Sequence, residues 1–243
     1  MAREYILCEN NYMIYFLFNG KAGLIMTGLK NNDFSDVVFK RRSVRHFDPD
    51  FKISRDELKE IIKETVTAPS ACNLQSWHFE IVDNEAGKEK LKSYFIPFNT
   101  PQIDSCSAMV LIFGDTQSHK NYRKAWEDDY HAGKITKEEM EDNFSRILFR
   151  YEEGARDFLV NDATVDAAMA SMQLLLVLRA HGYEGNAIAG YDTKAAAETF
   201  GLDPYRYIPV MAVAVGVPAK NGPAEEDHSD RYGLDTILHF VDE

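Results

Sequence analysis

The run Arg41-Arg42-Ser43-Val44-Arg45 places three guanidinium groups and a hydroxyl within five residues of a chain whose formal net charge is −12. Guanidinium groups are planar, forked and always charged, which matches phosphate oxygens, and the serine adds another donor. The same run also reads as a solvated basic helix end that complements a helix dipole. A second segment, Pro69-Ser70-Ala71-Cys72-Asn73-Leu74-Gln75-Ser76-Trp77, carries two carboxamides. Asn73 and Gln75 each supply donors and an acceptor. Such a pair can match the alternating carbonyl and N–H edge of a flavin pyrimidine ring, or it can do no more than satisfy loop backbone. In the third segment, Gly185-Asn186-Ala187-Ile188-Ala189-Gly190-Tyr191, glycines and small residues let backbone N–H groups approach a ring closely. An ordinary turn and short strand has the same composition. Arg231, in a polar tail after Pro223, either reaches back to a phosphate or is solvated.

Other chemistries lose ground. No G-x-G-x-x-G follows a strand-like run, and neither a Walker loop nor a G-x-S-x-G elbow is present. Cys72 lies near His78, but no third group orients the two as a catalytic pair. Cys8, Cys72 and Cys106 form no C-x-x-C, and an odd, sparse count fits the reduced thiols of a cytoplasmic protein. The seven histidines are scattered without metal-ligand spacing, so no metal site is expected. With 27 Lys and Arg against 39 Asp and Glu, the surface repels nucleic acid and anionic membrane. A small molecule is the expected partner.

The elements that hold these segments are legible in the apolar spacing. Residues 33–42 predict a short helix with Phe34, Val37 and Val38 on one side. Ser54-x-x-Glu57 is a capping box for a helix through Val66, ended by Pro69. A strand is expected at Trp77–Val82, then an amphipathic helix at 84–94 and a fully buried strand at 108–113. Residues 116–157 are charged and helical in pattern, with breaks near Gly133 and Gly154. Residues 162–181 are apolar or small on nearly every face, which predicts a central, closely packed helix capped by Gly182. A last strand at 208–217 accommodates Pro209 near its start. Residues 1–25 are set aside as an N-terminal extension, either disordered or a product of start-codon choice, because Met26 would open a conventional chain. Their apolar run breaks at Asn19-Gly20, short of the ~18 residues a span requires. Residues 26–243 then form one α+β domain.

Together these segments resemble the nitroreductase family. RRSVRHFDP, a capped helix and APSACNLQSWHF match the family's N-terminal signature in order and spacing, and IAGY, PVMAVAVG and a late arginine continue the match. The resemblance implies an α+β fold with a central, mostly antiparallel sheet flanked by helices, assembled as an intertwined homodimer. It further implies one FMN in each of two interface sites and NADH or NADPH as co-substrate. Arg41, Arg42, Ser43 and Arg45 would hold the phosphate, ribityl chain and pyrimidine side. Asn73 and Gln75 would contact the isoalloxazine, with Pro69 and Ser70 supplied across the dimer. Ile188, Ala189 and Gly190 would line the N5 and O4 edge, and Arg231 would return to the phosphate. Two departures stand out: Ser229 where many members carry a basic residue, and Ala189 where some carry glutamate.

The implied activity is ping-pong transfer of hydride from NAD(P)H, through the flavin, to nitroaromatics or quinones, with no side chain acting as nucleophile or general acid. An oxidase, dehalogenase or ene-type reductase on the same scaffold is the alternative, and a non-catalytic FMN-binding redox sensor is a third reading. Tyr122, Trp126, Tyr130, Phe144, Phe149 and Tyr151 are the candidate acceptor contacts.

Overall fold

A computed structural model describes residues 13–16, 22–25, 29–220 and 230–241, the first two stretches as backbone alone. The elements in chain order are β1 (Met13–Phe16), β2 (Ala22–Ile25), α1 (Phe34–Lys40), α2 (Arg55–Thr65), β3 (Trp77–Val82), α3 (Glu85–Lys92) and α4 (Thr100–Ser105). There follow β4 (Ala108–Asp115), α5 (Ser118–His131), α6 (Lys137–Asn143), α7 (Phe149–Glu152), α8 (Arg156–Ala180), β5 (Glu184–Ile188), α9 (Thr193–Thr199), β6 (Tyr207–Gly216) and α10 (Leu234–Ile237). The proposed N-terminal extension falls largely outside the described residues; within it β1 and β2 pair antiparallel.

The main sheet has the order β3-β4-β6-β5, and each of its ladders is antiparallel. Helices cover both faces, which explains why β4 is apolar without interruption. Its side chains alternate between two cores. Ala108, Val110 and Ile112 pack with Leu58 and Ile61 of α2 and Leu174 and Leu178 of α8. Met109, Leu111 and Phe113 pack on the opposite face with Leu91, Phe95, Ile103 and Ala197. Pro209 is tolerated because the β4–β6 register slips beside it, from Ile112 opposite Met211 to Phe113 opposite Pro209.

Several expectations are refined. Ser54 caps α2 by accepting the Glu57 N–H, but the reciprocal half of the box is replaced: the Glu57 carboxylate turns instead to His181, 3.0 Å away. In α1 only Val37 is buried, and Phe34 is 75% exposed. The apolar helix begins at Arg156 rather than at residue 162. It ends as expected on Gly182, whose φ of 81° lets Gly182 N–H reach Arg179 O and Tyr183 N–H reach Leu178 O. Its close packing holds on one face alone. Val165, Met169 and Met172, spaced as one helical stripe, are 50%, 43% and 47% exposed. By length and composition α8 could cross a membrane, but half of its most apolar window is buried inside the fold.

Candidate active site

The basic run leaves α1 and crosses the edge of the sheet. Ser43 bridges Gly185 of β5 in parallel, and Phe47 bridges Pro218. Arg179, near the end of α8, sets this path. It pairs with Asp36 of α1 at 2.7 Å and with Glu184 of β5, whose second oxygen accepts the Arg42 N–H at 3.4 Å. Burial pushes the Glu184 carboxyl upward and Arg179 opposes that shift. Lys40 first, and then Arg179, hold Asp36 down at about 2.

Ile188, Ala189 and Gly190 follow at the far end of β5, the first buried and the second exposed. The Gly190 carbonyl accepts from Asn99 Nδ2 at 2.9 Å and from Ile96 N–H at 3.1 Å. A Cβ at Gly190 would come within 2.8 Å of both Asn99 Nδ2 and Ile96 Cδ1, so a larger residue would displace those side-chain ends and disturb the Asn99 contact. Arg45 lies over the Phe98 ring. Phe98 and Asn99 therefore join this half of the site. Gln102 is 2% exposed, and its Oε1 is buried without a partner among the described residues. The sequence reading missed both Phe98 and Asn99. The available signal was an aromatic and a carboxamide between Pro97 and Pro101, in a stretch too short for periodicity to reveal.

The segment from Pro69 to Gln75 forms the second half. Cys72, Asn73 and Gln75 have φ of 50°, 57° and 53°, and they are the described non-glycine residues with positive φ. Each such conformation costs about 1 kcal/mol or more, so the surroundings must over-determine it. Ser70 Oγ accepts the Gln75 N–H at 3.0 Å, while Asp166 Oδ1 and Oδ2 accept from Ala71 N–H at 2.9 Å and Ser76 N–H at 3.3 Å. Both carboxamides are exposed and have no hydrogen-bond partner among the described residues. They border a cavity of about 450 Å³ walled by Trp77, Tyr122, Trp126 and Asp129. Asn143 Nδ2 fixes the Tyr122 hydroxyl at 3.0 Å. Of the other aromatic candidates, Phe144 lies under Arg123, and Tyr151 borders a separate cavity of about 260 Å³ with His119, Arg156 and Tyr205.

One chain does not bring the basic run and the carboxamide loop together. β5 and β3 are opposite edges of the sheet, three interstrand spacings or about 14 Å apart. Through the register, Gly185 aligns with Val215 and Ala108, whereas Trp77 pairs with Gly114, about 20 Å further along. Ser43 and Trp77 thus occupy diagonal corners. Arg231 is exposed in the C-terminal segment, where Tyr232, Leu234, Ile237 and Phe240 are exposed as well. Ser229, Pro223 and Cys8 lie outside the described residues.

A model described as the nitroreductase family matches residues 38–217, and the chain belongs to that family of oxidoreductases. A CLA biosynthesis enone reductase of Lactiplantibacillus plantarum is 51% identical over 213 residues, covering 88% of this chain and 96% of the relative. YdgI of Bacillus subtilis, provisionally named an NAD(P)H nitroreductase, is 37% identical and covers 87% of this chain and 99% of its own. Among solved structures, the enone reductase CLA-ER, described as acting in gut-bacterial fatty acid saturation, superposes with a TM-score of 0.82 at 51% identity. That match covers 88% of this chain and all of the other (100%). A nitroreductase-type protein of Exiguobacterium sibiricum in complex with FMN gives 0.79 at 33% identity, with 87% and 98% covered.

Proposed function

We propose that the chain is an FMN-dependent oxidoreductase that takes hydride from NAD(P)H and delivers it to an electron-poor carbon–carbon double bond, working in the cytoplasm as a homodimer. The observation that carries this reading is the division of the site between diagonal corners of one chain: a second copy is what can set Pro69–Gln75 of one subunit against Arg41–Arg45 of the other. The exposed stripe on α8 and the exposed apolar C-terminal segment supply surface for that copy. Residues 26–243 are the FMN-binding unit.

The residues fit the cofactor. Three guanidinium groups and the Ser43 hydroxyl suit a phosphate and its ribityl chain, with Arg231 returning to the phosphate. Asn73 and Gln75 hold exposed carboxamides on a strained loop, without a hydrogen-bond partner among the described residues, which leaves them available to a heterocycle edge. Pro69 and Ser70 come with them across the dimer, and Ile188, Ala189 and Gly190 form the backbone rim opposite. When bound, FMN supplies the redox chemistry by accepting a hydride from NAD(P)H and releasing one to the acceptor. The protein's part is to hold, orient and keep water from the reacting face. Tyr122, Trp126 and Trp77 give the acceptor an aromatic wall.

An enone is placed first among acceptors because the 51%-identical relative bears that name over nearly its whole length. Nitroaromatics and quinones are the second reading, the nitroaromatics supported by the name of a more distant relative. The test is an anaerobic titration of purified protein with NADH and then NADPH, read at the flavin absorbance band. Reoxidation is then timed with an α,β-unsaturated ketone, a nitroaromatic and a quinone. Fastest reoxidation by the ketone supports the reading. Protein that stays colourless and cannot be reconstituted with FMN overturns it.

A further inference from the structure

Asp166 is 2% exposed on α8, facing the loop of residues 70–76. One carboxylate oxygen accepts the Ala71 N–H at 2.9 Å and the other accepts the Ser76 N–H at 3.3 Å. These two amides bracket the loop, and all three left-handed residues lie between them. Most other holding contacts are local. Ser70 carbonyl accepts from Asn73 N–H, Ala71 carbonyl from Leu74 N–H, and Gln75 carbonyl from Trp77 N–H. From outside the loop, Asp115 N–H of β4 donates to the Ser76 carbonyl at 3.1 Å, and a hydrogen bond of 2.8 Å joins the Ser118 and Ser76 hydroxyls. Local bonds can shape a turn but cannot fix where it stands on the body of the protein. At the Ser76 end β4 and Ser118 share that task, whereas at the Ala71 end it falls to Asp166, because α8 is anchored by its buried face against the sheet. An ionised carboxylate is acceptor-only at both oxygens, which two converging N–H donors require.

The geometry assigns Asp166 a positioning role: it clamps both ends of the left-handed loop to α8, so that Asn73 and Gln75 present their carboxamides to the flavin ring. This rests on the reading that those carboxamides contact FMN. Asp166 itself touches no reacting atom.

Two variants cut the clamp from opposite sides. Asp166→Asn keeps the shape but turns an amide N–H₂ toward one of the two N–H donors. Ala71→Pro deletes one donor and leaves Asp166 intact. Ser70, at φ −140° and ψ 158°, already has the extended backbone that a residue before proline needs. Should the first variant fail to fold, the second carries the test. FMN affinity is measured by fluorescence quenching, beside hydrogen exchange at the Ala71 and Ser76 amides. Both variants are expected to weaken FMN about tenfold and to speed exchange at those amides, with β4 and β6 unchanged. In an Asn73→Ala/Gln75→Ala background, Asp166→Asn is expected to cause no further loss, because the groups it positions are gone. A role in stability alone would subtract the same factor again. If Asn73→Ala and Gln75→Ala weaken FMN while Asp166→Asn and Ala71→Pro bind it as wild type does, the clamp is refuted and the functional reading survives. If Asn73→Ala and Gln75→Ala leave FMN binding unchanged, the assignment of the loop to the flavin falls, and the clamp's role with it.

Discussion

The guanidinium carbon of Arg45 sits 5.1 Å from the centroid of the Phe98 ring, and that ring is 64% exposed. An aromatic face left this open serves as a shelf for the cation, contributing about 0.5–1 kcal/mol. Phe98→Ala is therefore expected to weaken FMN about threefold, and Arg45→Ala more strongly, because it also removes the donor fork. Arg45→Lys keeps the charge and loses the fork, so it should fall between the two in a fluorescence-quenching titration. Equal affinity for all three variants would detach Arg45 from the cofactor.

The diagonal placement of the two halves is testable by mixing. An Arg45→Ala chain and an Asn73→Ala/Gln75→Ala chain are each expected to be inactive. Unfolded together and refolded at equal amounts, they form mixed dimers in which one site carries both defects and the other carries none. About a quarter of all sites should then recover NADPH-dependent flavin reduction, as closed two-fold symmetry dictates. Recovery of none would place each site within a single chain.

His181 is fully buried, with Nδ1 3.0 Å from Glu57 Oε1 and Nε2 3.0 Å from Glu64 Oε2. It ties the end of α8 to α2, and Tyr183 adds a hydroxyl contact to the same Glu57. His181→Leu leaves two carboxylates facing an apolar side chain. The expected loss is about 2 kcal/mol in urea unfolding, below the range for fully buried pairs because both glutamates are partly exposed. FMN affinity of the folded variant should be unchanged.

Burial first, and then the charge of Asp166 one helical turn away, push the Asp162 carboxyl above the ordinary aspartate value of 3.8. Oδ2 of Asp162 is buried without a partner among the described residues. In this range the folded chain binds more protons than the unfolded one, so this group makes stability fall as pH rises from about 3.8 through the raised value. Below that window the group is neutral in both states and contributes nothing. Asp162→Asn should match wild type in acid and exceed it at neutral pH, as chemical denaturation at several pH values will show. A difference that grows toward acid would have the wrong sign.

Much of this architecture could be read from residue order because the physics was local. The continuous apolar run of β4 meant burial on both faces, and Gly182 after an apolar helix meant a left-handed cap. The arginine run and the carboxamide loop were visible as chemistry because their side chains are neighbours in sequence. Phe98 and Asn99 were not, because they matter only through Arg45 and Gly190, more than fifty residues away on either side. Asp166 was hidden differently. It is a lone acid inside an apolar helix, and nothing local indicated that two backbone amides from a distant loop would satisfy it. The exposed face of α8 was unreadable for a third reason: composition reports that a surface is apolar, but not whether its own chain covers it.

That uncovered stripe of Val165, Met169 and Met172 has a thermodynamic corollary. If a second copy covers the stripe, as the proposed homodimer requires, the protein does not have one melting temperature; it has one for every concentration. Diluting the protein a thousandfold should lower the midpoint by several degrees, and a charge placed on the stripe that abolishes pairing should remove that dependence. Midpoints measured at one high concentration would then overstate the difference between such a variant and the wild type in a dilute cell.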